Sequence, residues 1–443
     1  MFRMKEKLSG FLLLAAAVAA MALLSVSGLQ AQDFQTAYFL KNYSHSYQLN
    51  PASMPEYNKF ILGVGVDNIS LGVSSNVELD SFFFPSVIDG RKTLVNGFDK
   101  SIGSEQFLGG LKERSDATGA ASLNVLSIGH RGKKNGSFHT FEVNARLNAS
   151  AGVPKDLFAL LKNGTTVPAT YTGTDSFINA TGLIEISSGH SYRLNEYVRL
   201  GGRVKLLAGI ADIRLGLDSF KADVDESIMV DARGIAELHA LSAEFVPDEN
   251  GNINFDLDGE TRFKPGGYGA ALDFGVEMRF PGLKHLSMSA SVQDLGGLVW
   301  LNGITGQASL SDDMDELSIE SLFKADDGSV NSFRMLSPSL NLGVKYDLLR
   351  MFSVGAVATA RAGRYAYNEA RIGAAFNPGR VLSLAASAGV SSFGTAFGAA
   401  VSLNIPGINL FVGVDSIVRE LTPEYLPVGR MDTRLHLGLV LAF

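Results

Sequence analysis

The chain has no cysteine, one tryptophan and only 13 prolines in 443 residues. Without cysteine there is no disulfide framework, no thiolate metal site, no Cys nucleophile and no lipidated anchor behind a leader segment. Charge is also scarce. Charged residues make up 19% of the chain against 46% hydrophobic, a balance that excludes a disordered polymer. The formal charge of −7 leaves no basic excess for nucleic acid, so no nucleic-acid partner is expected. Beyond residue 31 no stretch approaches the roughly 18 consecutive apolar residues of a membrane-crossing helix. What the chain has in quantity is glycine, 48 residues of it, and a pattern of period two.

Residues 1–31 read as a secretory signal. Arg3, Lys5 and Lys7 make a positive start, Phe11 to Leu24 is an apolar run, and Ala31 precedes a plausible cut. Cleavage there removes three positive charges and one negative, taking the formal charge from −7 to −9.

The rest of the chain alternates apolar and polar residues over about ten positions, then turns. Leu286, Met288, Ala290 and Val292 alternate with Ser287, Ser289, Ser291 and Gln293, and Phe141, Val143, Ala145 and Leu147 alternate with Glu142, Asn144, Arg146 and Asn148. Each segment is a strand with one apolar and one polar face. A soluble sandwich would show the same alternation, but its water face would carry more Lys and Glu than these Gly-, Ala- and Ser-rich faces do. Connections also alternate short and long. Short turns fall near 131–137, 192–196, 280–285, 348–351, 377–380 and 405–407. The longest connections are 79–115, 152–175, 218–266 and 297–334. This division predicts an all-β fold: a transmembrane up-and-down antiparallel β-barrel of about 14 strands, spanning 59–443, with long outer loops and a short periplasmic N-terminal segment at 32–58. The strand from Val198 changes phase near Ala211, as a bulge would cause. PKDLFALLKNG reads as a short helix started by Pro154 and stopped by Gly164.

The polar strand faces place charges of both signs in the lumen: Glu142, Arg146, Glu185, Arg199, Arg203, Lys205, Asp273, Glu277, Arg279, Lys345, Arg371, Arg434 and His436. They line a selective polar path or form a salt-bridged filling. Segment 218–266 holds twelve acidic residues against four basic, and 297–334 seven against two. Such acidic outer loops are solvated surface, or a bridge through divalent cations to lipopolysaccharide. Asp248 to Asn254 resembles part of a calcium loop but has Ile253 where glycine is needed, so no metal site is assigned. No cofactor is expected. Seven histidines and many serines show no spacing that singles out a catalytic pair, and no catalytic residue is assigned. Phe82, Phe83 and Phe84 read as interfacial anchoring or local core before they read as a ligand site. The Gly-rich strand positions read as small residues that let the barrel interior fit.

Leu435, Leu437, Leu439, Leu441 and Phe443 form an apolar face ending on an aromatic carboxyl terminus, which resembles the signal read by outer-membrane insertion machinery. The Leu49-Asn50-Pro51-Ala52 step before the first strand resembles a motif of long-chain fatty-acid transporters and of type IX secretion and gliding accessory barrels. FHTFEVNARLNASAGVPKDLFALLKNG and VRLGGRVKLLAGIADI are similar to segments of a Bacteroidota outer-membrane barrel family of unknown function. The resemblance implies a Gram-negative cell outer-membrane location, with lipid, lipopolysaccharide and the insertion machinery as partners. The fatty-acid transporters plug their lumen with a longer N-terminal segment than the roughly 27 residues available here, so a full plug is not expected. Two functions stay open. One is passive, porin-like transport of a small or hydrophobic molecule. The other is a non-transporting accessory barrel that docks a periplasmic or surface partner.

Overall fold

The computed structural model describes residues 34–88, 91–133, 136–164, 169–224, 228–240, 243–247, 253–257, 264–280, 283–313, 324–325, 329–363, 366–416 and 430–443. The signal segment lies outside these residues, as does most of the calcium-loop-like stretch.

The wall is made of β1 (Phe60–Glu78), β2 (Arg114–Arg131), β3 (Phe138–Pro154), β4 (Ala169–Arg193), β5 (Val198–Val224), β6 (Gly267–Phe280), β7 (Leu283–Asp313), β8 (Ser339–Asp347), β9 (Phe352–Arg361), β10 (Tyr367–Phe376), β11 (Leu382–Ser391), β12 (Gly394–Ile405), β13 (Gly407–Val414) and β14 (Arg430–Ala442). Each pairs antiparallel with the next, and β14 closes on β1, for example Leu71 with Leu435. The whole sheet has 17 strands. Ile228–Ala240, Lys324–Ala325 and Val330–Met335 belong to an extension at one end, which leaves fourteen around the barrel. Closure leaves no open edge, the condition for strands to cross a membrane.

The alternation explains the wall. Outward residues such as Leu342, Ile372, Val401 and Leu439 stay between 42 and 69% exposed, while inward Arg434, His436 and Val440 are buried. A band of exposed Leu, Val and Phe on this scale belongs in lipid rather than water. The short turns gather at the end that also holds Lys59 and the Phe443 carboxyl terminus, whose carbonyl accepts the Lys59 and Phe60 amides at 2.6 and 3.0 Å. The tightest turn, between β12 and β13, passes through Gly407 at φ +90°, a conformation that disfavours any side chain.

Two expectations need correction, and the bulge expected near Ala211 is present. Much of the connections expected at 218–266 and 297–334 is sheet, and strands also take both ends of 152–175 around the helix expected there. β4 begins at Ala169, β5 runs to Val224, β7 runs to Asp313, and Ile228–Ala240 fills the gap between β5 and β7. Ile228–Ala240 does alternate, Ala232, Ala236 and Leu238 with Asp231, Arg233, Glu237 and His239, but the many acidic residues of 218–266 make the whole segment read as a loop. The phase change near Ala211 is a bulge. Gly182 pairs with Ala211 and Leu183 with Gly209, so Ile210 is the extra residue. At the same point β5 exchanges β6 for Ile228–Ala240 as its neighbour. Finally, the segment before β1 does not hang below the barrel. It is packed inside it.

The end with long connections is capped. Phe82, Phe84, Phe107 and Phe158 form a small aromatic core, with Phe82 and Phe107 edge to face at 5.2 Å. Helix Lys155–Asn163 has Pro154 as its N-cap and stops at Gly164, φ +54°. It sets Ala159 and Leu160 against Tyr171, Phe220 and Ala222. The phenylalanine triplet therefore contributes to local core.

Candidate functional site

Residues 34–58 thread the lumen as a plug. Two single turns, Gln35–Phe39 and Ser46–Leu49, carry its backbone bonds. Its amide-to-carbonyl bonds, from Ala37 to Phe34, Leu40 to Ala37, Ser46 to Tyr43, Gln48 to His45, Asn50 to Ser46 and Ser53 to Asn50, stay within the segment. Among the described residues, 34–53 add no backbone rung to the wall. Side chains attach it instead.

One side of the wall receives the plug by shape. A Cβ built on Gly413 would sit 1.7 Å from the Phe34 ring, on Gly373 2.4 Å from Phe39, on Gly343 2.5 Å from Tyr38, and on Gly398 2.2 Å from the Thr36 hydroxyl. Ala375, Ala385 and Ala400 complete the floor under Phe39, Leu40 and Tyr43. Phe34 also stacks on His436 at 4.3 Å, and Tyr43 meets Phe411 edge to face at 4.8 Å. The glycines of β8, β10, β12 and β13 are thus seats for particular plug side chains.

The opposite side receives it by charge. Consecutive strands β3 to β7 bring Glu142, Arg146, Glu185, Arg203, Lys205 and Asp273 together with Asp294. Arg146 reaches Glu185 at 2.9 Å and Asp294 at 2.8 Å. Lys205 reaches Asp294 at 2.7 Å and Asp273 at 2.9 Å. Arg203 lies 3.6 Å from Glu142 and donates to the Tyr47 carbonyl at 2.6 Å. Glu142 also accepts from Gln48 at 2.6 Å, Asn124 at 2.8 Å and Tyr47 at 3.2 Å. The plug and the wall thus share one carboxylate. Buried charges are tolerable only with such partners.

Asp294 was not expected on this face. A bulge puts it there: Leu272 pairs with Leu295 and Phe274 with Val292, so β7 carries one extra residue, and Asp294 takes φ +58°. Its amide donates to Asp273 at 2.8 Å. Asp67 enters the same way, through a wide irregularity of β1 between Val64 and Asn68. It faces plug His45 at 3.5 Å, both fully buried. In the sequence both sites show as two adjacent polar residues, Gln293-Asp294 and Asp67-Asn68, that break the alternation.

A second buried cluster joins Arg371 and Arg434 to Glu369, Asp415 and Asp432. Arg434 reaches Glu369 at 2.7 Å, and Arg371 is bonded to Glu369 and to the Asp415 carbonyl. The Asp415 carboxylate holds the start of the plug, accepting the Gln35 amide at 2.6 Å, the Thr36 amide at 2.9 Å and the Thr36 hydroxyl.

Near the short turns, Glu277 accepts from Ser53 and pairs with Arg199 at 3.5 Å, while Lys345 donates to the Phe39 carbonyl at 3.2 Å. Arg279 is exposed at this rim. The Asn50-Pro51-Ala52 step is the seat of the plug's end. The Asn50 amide donates to the Val276 and Ala290 carbonyls at 3.1 and 3.3 Å, and its oxygen accepts the Ala52 amide at 2.8 Å. A Cβ on Gly201 would lie 2.1 Å from the Pro51 carbonyl.

Among the described residues Ser332 meets His239 Nε2 at 3.0 Å, but Glu237 approaches the same nitrogen at 3.2 Å. A relay needs the carboxylate on the other nitrogen, so this is a polar lattice in the extension and not a triad. Above the plug lies a chamber of about 90 Å³, lined by residues of both wall sides including Asn68, Asn124, Arg203, Lys205, Asp294, Arg361 and His436.

A family model described as "Family of unknown function (DUF5723)" matches residues 51–415. No curated protein matches. Among solved structures the chain is similar to a Pseudomonas aeruginosa FadL homologue, with a TM-score of 0.45, 9% identity, and coverage of 91% of this chain and 94% of that one. It is similar to the Ralstonia pickettii toluene transporter TbuX, with a TM-score of 0.41, 11% identity and coverage of 95% and 100%. It is also similar to the Pseudomonas putida toluene transporter TodX, with a TM-score of 0.39, 10% identity and coverage of 94% and 98%.

Proposed function

The chain belongs to the DUF5723 family of unknown function, and we propose that it is a passive transporter of a small molecule across a Gram-negative outer membrane, gated by its own N-terminal plug. One observation carries this reading: residues 34–53 make no backbone-to-backbone bond with the wall, which closes from β14 to β1 without them. Removing the plug breaks side-chain contacts, each worth about 1 kcal/mol net, and leaves the sheet's ladder whole. In this reading the signal segment is cleaved, the exposed apolar band meets lipid, Phe443 serves the insertion machinery, and acidic surface faces lipopolysaccharide.

The filled lumen and the aromatic cap also favour a second reading, a closed accessory barrel that docks a partner. Conductance and solute uptake of the refolded mature protein in lipid vesicles decide between them, measured beside a deletion of residues 32–55. A gated transporter gains conductance or uptake on deletion. A heat-modifiable barrel that stays silent in both forms contradicts gating and supports the scaffold.

A further inference from the structure

The charges of the lumen pair almost throughout, and Arg361 stands out against that background. It ends β9 with its side chain in the chamber above the plug and is 92% buried, its exposure being 8%. Among the described residues no carboxylate lies within ion-pair reach of it, and its Nε is buried without an acceptor. Arg146, Arg203 and Lys205, which line the same chamber, each have two carboxylates or more. A buried guanidinium is costly to leave without an anion.

The chamber wall also presents two unfilled acceptors. Asn68 and Asn124 are register partners on β1 and β2. Each spends its amide nitrogen, on Gln48 at 2.8 Å and on Glu142 at 2.8 Å, and each leaves its oxygen buried with no donor. Buried acceptors of this kind are normally satisfied. The lining thus holds one cation without a carboxylate and two unfilled amide oxygens, beside the unpartnered nitrogens Arg203 Nε and His436 Nε2, which together are the complement of a molecule carrying one negative charge and at least one hydrogen-bond donor. The volume of about 90 Å³ holds roughly six waters, or a molecule of similar size.

We propose that the chamber binds a small carboxylate that also carries a hydrogen-bond donor, a short hydroxy or amino acid, with its carboxylate on Arg361 and its donor on Asn68 and Asn124. This names the substrate class for the transport reading and rests on it for its biological use. Its test does not rest on that reading, because equilibrium binding needs no flux.

The test is titration calorimetry of the mature barrel in detergent at low salt, with lactate, L-alanine, propionate, lactamide and inorganic phosphate as probes. Lactate or alanine should bind, the choice between them telling hydroxyl from ammonium as donor. Propionate, which lacks the donor, should bind at least tenfold more weakly, and uncharged lactamide should not bind measurably. Arg361→Gln should weaken the bound probe at least tenfold, with Arg361→Lys intermediate and the exposed Arg350→Gln unchanged. Heat-modifiable migration checks that each variant is folded. The wild-type probe series stands even if Arg361→Gln does not fold. Lactamide binding as well as lactate, propionate binding as well as both acids, phosphate binding more tightly than either acid, no heat with any probe, or unchanged affinity in folded Arg361→Gln would each overturn the proposal. Binding without vesicle uptake would refute transport and leave the site standing.

Discussion

The two sides of the lumen fill the same space by opposite means. From β8 to β13 many inward positions near the plug are glycine, alanine and serine, and aromatic plug residues sit in the hollows they leave, beside a few larger groups such as Lys345, Arg371 and Phe411. From β3 to β7 the inward positions are long charged side chains, and the plug offers them amides, a phenol and a backbone carbonyl. A seat made by shape fails when something is added to it. A seat made by charge fails when something is taken away.

That contrast orders the expected effects. The largest belongs to the charged side. Lys205→Met removes the cation shared by Asp273 and Asp294, leaving Arg203 and Arg146 to offset two buried carboxylates, and should destabilise the barrel by about 3 kcal/mol, read as a lower urea midpoint of the refolded protein. A midpoint equal to wild type would mean that these charges are solvated and the network is incidental. Next comes the shape side. Gly413→Leu intrudes on Phe34 and should weaken plug docking by about 1–3 kcal/mol while the wall stays folded. Limited proteolysis should then cut within 34–58 faster at an unchanged heat-modifiable band, and Phe34→Ala in the same chain should restore protection. If the wall unfolds with the plug, the two are one cooperative unit and the contrast is lost. Asn50→Ala removes a side chain that satisfies two strand carbonyls, and should loosen the plug's end by about 1–2 kcal/mol in the same assay. Smallest is Arg350→Gln on an exposed short turn, expected to leave plug protection and urea midpoint unchanged.

The two sides were also unequally legible in the sequence. A lipid-facing position must be apolar, so strict alternation marks the outward faces, as in Leu435 to Leu441, and the charges between them fall inward by phase. Glu369 and Asp432 could have been read the same way, since each lies two residues from a charge already placed in the lumen, Arg371 and Arg434. Asp294 and Asp67 could not, because bulges carry them to the inner face against the phase. Only the adjacent polar pairs hint at them. Wall glycines look alike in a sequence. That Gly413 answers Phe34 and Gly373 answers Phe39 is a fact of the fold, since the partners lie hundreds of residues apart. Length alone makes the segment before β1 look too short for a full plug. Its composition argued otherwise: Phe34, Tyr38, Phe39, Tyr43 and Tyr47 crowd into one short stretch that water would not favour as an exposed linker.

The account stands on the plug leaving the wall. The absence of cysteine makes that directly testable, because any introduced pair is the sole thiol pair in the protein. The Thr36 and Ser387 hydroxyl oxygens lie 2.7 Å apart across the plug–wall contact. Thr36→Cys with Ser387→Cys should therefore close a disulfide without rebuilding the backbone. Single-channel recording of that double variant should give a silent barrel when oxidised and reversible openings when reduced. Openings that persist at the same rate with the disulfide closed would contradict the account.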